Sequence, residues 1–165
     1  MRLHVPIRLR WSDLDAYAHV NNAEMLRLLE EARIQAFWVN DEAAGVDGSG
    51  TSAQAARGTA VLDGRPGAAT LTLIARLEIE YLAPIPYLRE PIDVQLWIGK
   101  LGGASLDVCY EVYGPAGPES PRLYARATTT IVLVDAATER PRKINAVERA
   151  AWTPYLEPSI TFTRK

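Results

Sequence analysis

Apolar and polar positions alternate near the start of the chain and then change to helical spacing. Over residues 5–11 every second position is apolar, which is the period of a half-buried strand. Apolar side chains then recur at intervals of three and four, the period of an amphipathic helix. These positions are Met25, Leu28, Leu29, Ala32 and Ala36. Arg27, Glu30, Glu31 and Arg33 largely occupy other faces, so the pattern predicts a core-facing helix over about 22–39.

Four further strand-like runs follow, separated by segments rich in Pro and Gly. The runs span 77–81, 92–98, 106–113 and 124–134. Between the helix and these strands, residues 40–69 are rich in Gly, Ala, Ser and Asp, which predicts a flexible loop with one short strand at 59–62. A strand, a helix and then consecutive strands predict an α+β domain whose antiparallel sheet packs against one main helix.

Composition narrows the class of protein. At 165 residues the chain is most simply one domain, 1–165, with a core over about 5–135 and a C-terminal tail of undetermined placement. A net charge of -2 without a block of Lys or Arg argues against a nucleic-acid partner. One cysteine and two histidines argue against disulfides and a metal centre. Without a signal-like N-terminus or a membrane-length apolar run, we expect a soluble cytoplasmic protein with no membrane partner.

The residues that carry chemistry concentrate just before the predicted helix. Asp15 is ionised at neutral pH and can act as a nucleophile or a base, although Asp is also a common turn residue. His19 can polarise a carbonyl or orient water, although a lone histidine is often structural. Asn22 lies at the start of the helix, where unpaired amides suit an oxygen that gains negative charge, although the side chain of Asn21 or Asn22 can equally serve as the helix cap. Asp13 is interpreted as structural, because an acid at a strand end readily forms a turn.

This segment resembles the N-terminal motif of hotdog-fold thioesterases. It reads Trp-Ser-Asp-Leu-Asp-Ala-Tyr-Ala-His-Val-Asn-Asn over residues 11–22, similar to acyl-CoA thioesterases of the 4-hydroxybenzoyl-CoA type and to plant acyl-ACP thioesterases. The resemblance extends through Glu31-Ala32-Arg33 and through residues 77–85, and so covers about 5–135. It implies a hotdog fold, in which a curved antiparallel β-sheet wraps around one long central helix.

The resemblance also implies roles for three residues. Asp15 corresponds to the catalytic carboxylate, which family members use either to attack the thioester carbonyl or to activate water. His19 corresponds to an assisting histidine, and Asn22 to the residue whose backbone amide binds the thioester oxygen. Tyr17 departs from the plant acyl-ACP enzymes, which carry Asn there, so their three-residue mechanism does not transfer.

We therefore expect hydrolysis of an acyl-CoA or acyl-ACP thioester by a homodimer or homotetramer, with no cofactor and no metal. Two alternatives stay open: a hotdog module that binds acyl-CoA without cleaving it, and a hotdog hydratase or dehydratase. Weaker candidates have simpler explanations. The glycines of residues 99–105 fit a hairpin, Glu30 and Glu31 fit surface pairing with Arg27 or Arg33, and Cys109 fits a buried hydrophobic position.

Overall fold

The computed structural model of the chain describes residues 1–39, 58–115 and 121–163. Residues 40–57, which include most of the predicted flexible loop, lie outside the described part. The strands are β1 (Leu3–Ile7), β2 (Thr70–Tyr81), β3 (Ile92–Leu101), β4 (Ser105–Tyr113), β5 (Leu123–Asp135) and β6 (Arg140–Pro141). The helices are α1 (Asn22–Phe37) and α2 (Ala146–Trp152), with 3₁₀ turns at Trp11–Asp13 and Thr153–Tyr155.

The strands form one antiparallel sheet in the order β1-β3-β4-β5-β2, with β6 paired to β5. The apolar stripe of α1 lies against its inner face, and the buried residues of both form one core. The central residues of this core include Val5, Leu29, Ala32, Val94, Tyr110 and Leu133. The expected α+β hotdog fold, with a curved sheet against one main helix, is confirmed. None of the described helices is long and apolar enough to cross a membrane.

The first strand is shorter than the alternation predicted. It ends at Ile7, and Trp11 is exposed in the following 3₁₀ turn. The carboxylate of Asp13 accepts a 2.6 Å hydrogen bond from the Arg10 amide and a 2.9 Å bond from the Arg10 guanidinium. These bonds draw the chain into a turn, so the apolar period continues past the end of the strand.

The strand after the helix is longer than predicted. β2 begins at Thr70 and runs beside β5, with an irregularity between Ile74 and Arg76. It is an edge strand, since only β5 pairs with it in the described structure. The short strand predicted at 59–62 reduces to a single bridge between Leu62 and Trp38.

The C-terminal tail covers the outer face of the sheet. The indole of Trp97 donates a 3.0 Å hydrogen bond to the carbonyl of Pro158, and Leu156 forms a bridge with Ile98. Glu157 pairs with the Arg2 guanidinium at 3.0 Å. Cys109 is buried, as the sequence predicted.

Helix α1 begins where the sequence predicted and is capped by Asn21. The side chain of Asn21 accepts a 2.8 Å hydrogen bond from the Ala23 amide, and its own amide donates at 2.8 Å to the Asp13 carbonyl. The start of the helix is therefore fixed to the turn that follows β1.

Replacing the cap tests how firmly this start is held. Asn21→Ala should lower the free energy of unfolding by about 1 kcal/mol, because it leaves the Ala23 amide without its acceptor. Asn21→Asp keeps an acceptor oxygen and should remain close to the native chain in urea denaturation. Equal stability of the Ala and Asp variants would contradict the role of the cap.

Candidate active site

The predicted site residues lie on a short closed loop between the 3₁₀ turn and α1. Leu14 and Val20 form an antiparallel bridge across it, and the Asp15 amide donates a 2.8 Å hydrogen bond to the His19 carbonyl. Ala18 has a φ of 60°, a left-handed conformation that costs an L-residue roughly 1–2 kcal/mol. The loop reverses the chain tightly enough to bring Asp15 and His19 together.

Asp15 has a structural role in this loop. Its Oδ1 accepts hydrogen bonds from the Tyr17 amide at 2.8 Å and from the His19 amide at 3.2 Å. Within the described structure, every hydrogen bond of the carboxylate goes to Oδ1. The turn interpretation of Asp15 is therefore correct, and it leaves Oδ2 available for chemistry.

A second segment holds the loop against the end of β2. The Val20 amide donates a 2.9 Å hydrogen bond to the Ile85 carbonyl, and His19 forms a bridge with Pro86. The Tyr81 hydroxyl donates to the Asn22 carbonyl at 3.3 Å. Burial raises the pKa of Tyr81, which keeps its hydroxyl protonated as the donor. Sequence reasoning gave Tyr81 no role, because nothing in a strand pattern shows which helix end it meets.

The first amide of α1 is open. The Asn21 side chain accepts a hydrogen bond from the Ala23 amide, whereas the Asn22 amide makes no hydrogen bond within the described part of the chain. An unpaired amide at a helix N-terminus, where the helix dipole is positive, can stabilise a developing oxyanion.

Asp15, His19 and Asn22 line one open pocket of ≈ 320 Å³. The other lining residues are Val20, Met25, Tyr81, Leu82, Ala83, Pro84 and Ile85. The pocket therefore combines a carboxylate, an imidazole and an open amide with apolar walls. The structure brings together all three residues that the sequence singled out.

A larger opening of ≈ 470 Å³ lies between α1 and β1 but lacks this combination. Its cations include Arg10 and Arg27, and both are near acids. Arg10 pairs with Asp13, and Arg27 lies 3.7 Å from Glu24. Among the described residues, no cluster of three or more His, Cys, Asp or Glu side chains could hold a metal ion.

The interpretation of Arg33 as a surface residue is wrong. Its side chain is buried, and its Nη1 donates to the Tyr110 hydroxyl at 3.3 Å. The spacing held a usable signal, since Arg33 lies four residues after Leu29 and three before Ala36, on the buried stripe.

A sequence profile of the thioesterase-like superfamily matches residues 9–152. A Pseudomonas aeruginosa protein provisionally described as a thioesterase is 27% identical, with a TM-score of 0.65 over 91% of this chain and 95% of that one. No curated protein sequence is significantly similar.

Two further structures share the fold. A thioesterase of Thermus thermophilus, in complex with coenzyme A and zinc, is 23% identical, with a TM-score of 0.62 over 92% of each chain. A Xanthomonas campestris protein provisionally described as an acyl-CoA thioesterase is 24% identical, with a TM-score of 0.54 over 86% of this chain and 98% of that one.

The two roles of Asp15 can be separated by substitution. Asp15→Ala removes the acceptor for two amides and should lower the free energy of unfolding by about 1 kcal/mol. Asp15→Asn keeps a side-chain oxygen and should unfold within about 0.5 kcal/mol of the native chain. Urea denaturation measures both, and an Asn variant as unstable as the Ala variant would contradict the turn geometry.

Proposed function

This chain belongs to the thioesterase-like superfamily, and we propose that it hydrolyses an acyl-CoA thioester to a free carboxylic acid and a thiol. The observation that carries the proposal is the single pocket lined by Asp15, His19 and Asn22, where the described hydrogen bonds leave Asp15 Oδ2 and the Asn22 amide unoccupied. Hydrolysis breaks the bond between the carbonyl carbon and sulfur. The oxygen of water passes to the acid, and the departing sulfur takes a proton.

Asp15 is the proposed reacting carboxylate. As a nucleophile it forms an anhydride that water then opens, and as a base it removes a proton from the attacking water. Both roles need a carboxylate oxygen that is not hydrogen-bonded within the turn. Oδ2 is that oxygen, because both turn hydrogen bonds go to Oδ1. The bonds to Oδ1 fix the direction of the other oxygen and so position the group before substrate binds.

The Asn22 amide is the proposed oxyanion donor, and His19 assists. A donor of this kind typically contributes about 3 kcal/mol of barrier lowering. Two contacts hold it in place: the Asn21 cap on the neighbouring amide and the Tyr81 hydroxyl on the Asn22 carbonyl. His19 lies across the turn from Asp15 and lines the same pocket, where its ring can orient water or the thioester.

Coenzyme A is the proposed thiol carrier. Support comes from the Thermus thermophilus thioesterase, which binds coenzyme A, and from the Xanthomonas campestris protein described as an acyl-CoA enzyme. Both share the fold of this chain. The apolar walls of the pocket, formed by residues 82–85 and Met25, suit an acyl group rather than a charged head group at the reacting end.

We further propose that the chain acts as a homodimer formed through the β2 edge. β2 presents one side without a described strand partner, and such edges favour pairing with a second copy. Apolar side chains at this edge are exposed, including Ile74 on the inner face of β2 and Ile34 on α1, which line one pocket. A second copy laid edge to edge would cover these side chains and border the pocket at Tyr81.

Thiol release tests the hydrolase proposal. The native chain should release coenzyme A from acyl-CoAs, and Asp15→Asn should lower kcat/KM by about 100-fold or more, because it removes the ionised oxygen but keeps the turn. Asp63→Asn is the matched control. The Asp63 carboxylate accepts a 3.0 Å hydrogen bond from the Arg65 amide two residues later, as Asp15 accepts one from the Tyr17 amide. Asp63 does not line this pocket.

The assay also decides between the alternatives. Binding of acyl-CoA without thiol release would support the binding-module interpretation. Loss of the conjugated double bond of an enoyl thioester without thiol release would support a hydratase. Full activity in Asp15→Asn would mean that another group carries the reaction.

Association through β2 can be tested by a charge on the exposed strip. Ile34→Glu should shift the protein from dimer to monomer in light-scattering chromatography, because it places a carboxylate where an apolar contact is proposed. Val147→Glu, at another exposed apolar residue on α2, should leave the mass unchanged. A monomeric native chain, or a dimeric Ile34→Glu variant, would contradict the proposed interface.

A further inference from the structure

A buried cation lies on the sheet-facing side of α1. Arg33 is 5% exposed, and removing a charge from water is costly unless partners compensate. Its Nη1 donates to the Tyr110 hydroxyl at 3.3 Å, and its Nη2 lies 3.5 Å from a Glu30 carboxylate oxygen. Its Nε has no hydrogen-bond partner among the described residues.

Neither neighbour supplies a buried negative charge. Burial raises the pKa of Tyr110, although Arg33 opposes the shift, so the phenol stays neutral. The Glu30 side chain is 58% exposed and remains largely hydrated, and its 3.5 Å contact is longer than an ordinary charged hydrogen bond. The Nη2 end of this buried guanidinium is therefore held only by the long contact to Glu30.

Arg33 also lines an opening. A pocket of ≈ 220 Å³ lies between the C-terminal half of α1 and the first half of β2. Its lining consists of Glu30, Arg33, Ile34, Trp38, Gly64, Thr72 and Ile74. Arg33 therefore brings a buried positive charge to the wall of this cavity, where the described partner of Nη2 is the Glu30 carboxylate at 3.5 Å.

This pocket and the candidate active site lie along the same boundary between α1 and β2. Tyr81 meets Asn22 at one end, and Ile74 lies beside Arg33 at the other. Arg33 lies eleven positions after Asn22 in the helix, a rise of about 16 Å, and helical side chains lean back toward the N-terminus, which shortens the gap.

The strip between the two ends is apolar. Leu77 and Ile79 are half-buried there, and they pair across the sheet with Thr129 and Ala127, which are buried on the inner face. The boundary thus presents a reaction site, an apolar strip and a buried cation in succession. That order matches an acyl chain with an apolar middle and a negative end.

We propose that Arg33 binds the terminal carboxylate of the acyl group, so that the preferred substrates are CoA thioesters of dicarboxylic acids. The inference rests on the proposed hydrolysis at Asp15. The Nη2 and Nε donors share one edge of the guanidinium; Nε is enclosed, so a carboxylate reaches this edge at Nη2, where it replaces the long contact to Glu30. A methyl-ended chain would leave the same cation uncompensated.

Matched thioesters test this preference. The probes are octanoyl-CoA against suberoyl-CoA, and dodecanoyl-CoA against dodecanedioyl-CoA, which differ within each pair only at the chain end. The native protein should favour the dicarboxylic member of at least one pair by about tenfold or more in kcat/KM, because a site built for a polar group rejects the analogue without it. Equal values in both pairs would overturn the proposal.

Three variants connect the preference to this guanidinium. Arg33→Met keeps an unbranched side chain without charge and should reduce the dicarboxylic preference, measured as the ratio of kcat/KM within each pair, to about one. Glu30→Gln removes the competing carboxylate and should increase the preference. Glu31→Gln is the matched control, because the Glu31 carboxylate bonds to the Gln35 amide at 2.9 Å, and the preference should be unchanged.

A circular dichroism melt will show whether Arg33→Met folds. If it does not, the variants at the exposed residues Glu30 and Glu31 keep the test decisive. Identical behaviour of Glu30→Gln and Glu31→Gln would then overturn the proposal. If no probe releases thiol, the hydrolase proposal fails separately, and calorimetry with the intact thioesters takes over. Tighter binding of suberoyl-CoA than octanoyl-CoA would support the role of Arg33, and equal binding would overturn it.

Discussion

The buried carboxylate of Asp13 fixes the path of the chain between β1 and α1. It accepts hydrogen bonds from the amide and guanidinium of Arg10, and the Asp13 carbonyl accepts the Asn21 amide. The strand end and the helix start are therefore tied to one residue. As a result, the loop between them is restrained at both ends. It is short, so Asp15 and His19 lie close to the N-terminus of α1. An acid with no expected chemistry thus positions the acid that is proposed to react.

Local chemistry carried much of the prediction. The start of α1 followed from Asn21 and Asn22 before an apolar repeat, and the order of later strands followed from their alternation and turn residues. The three candidate residues were found because their types and spacing resemble a known motif. Their meeting in one pocket depends on the return of residues 81–85, which no local pattern specifies.

The errors have physical causes that point in different directions. The predicted alternation continued through Trp11 because the period of apolar residues does not report that the backbone turns between Arg10 and Asp13. Arg33 was assigned to the surface by its charge, although its spacing from Leu29 places it on the buried stripe. In the first case a side-chain hydrogen bond overrode the pattern, and in the second residue type overrode a correct pattern. When the spacing places a charged residue on the apolar stripe of a helix, the residue should be predicted as buried and its partners sought, instead of being assigned to the surface because of its charge.

The two ends of the chain are held against one another. The amino group of Met1 pairs with Glu157 at 3.0 Å, and Glu157 also binds Arg2 beside β1. Among the described strands, β1 pairs only with β3, some ninety residues later in the sequence. During synthesis, which proceeds from the N-terminus at roughly 5–20 residues per second, β1 must wait several seconds for its partner β3. The loop that carries the proposed chemistry is thus synthesised well before the residues 85–86 that hold it and before the partner of β1.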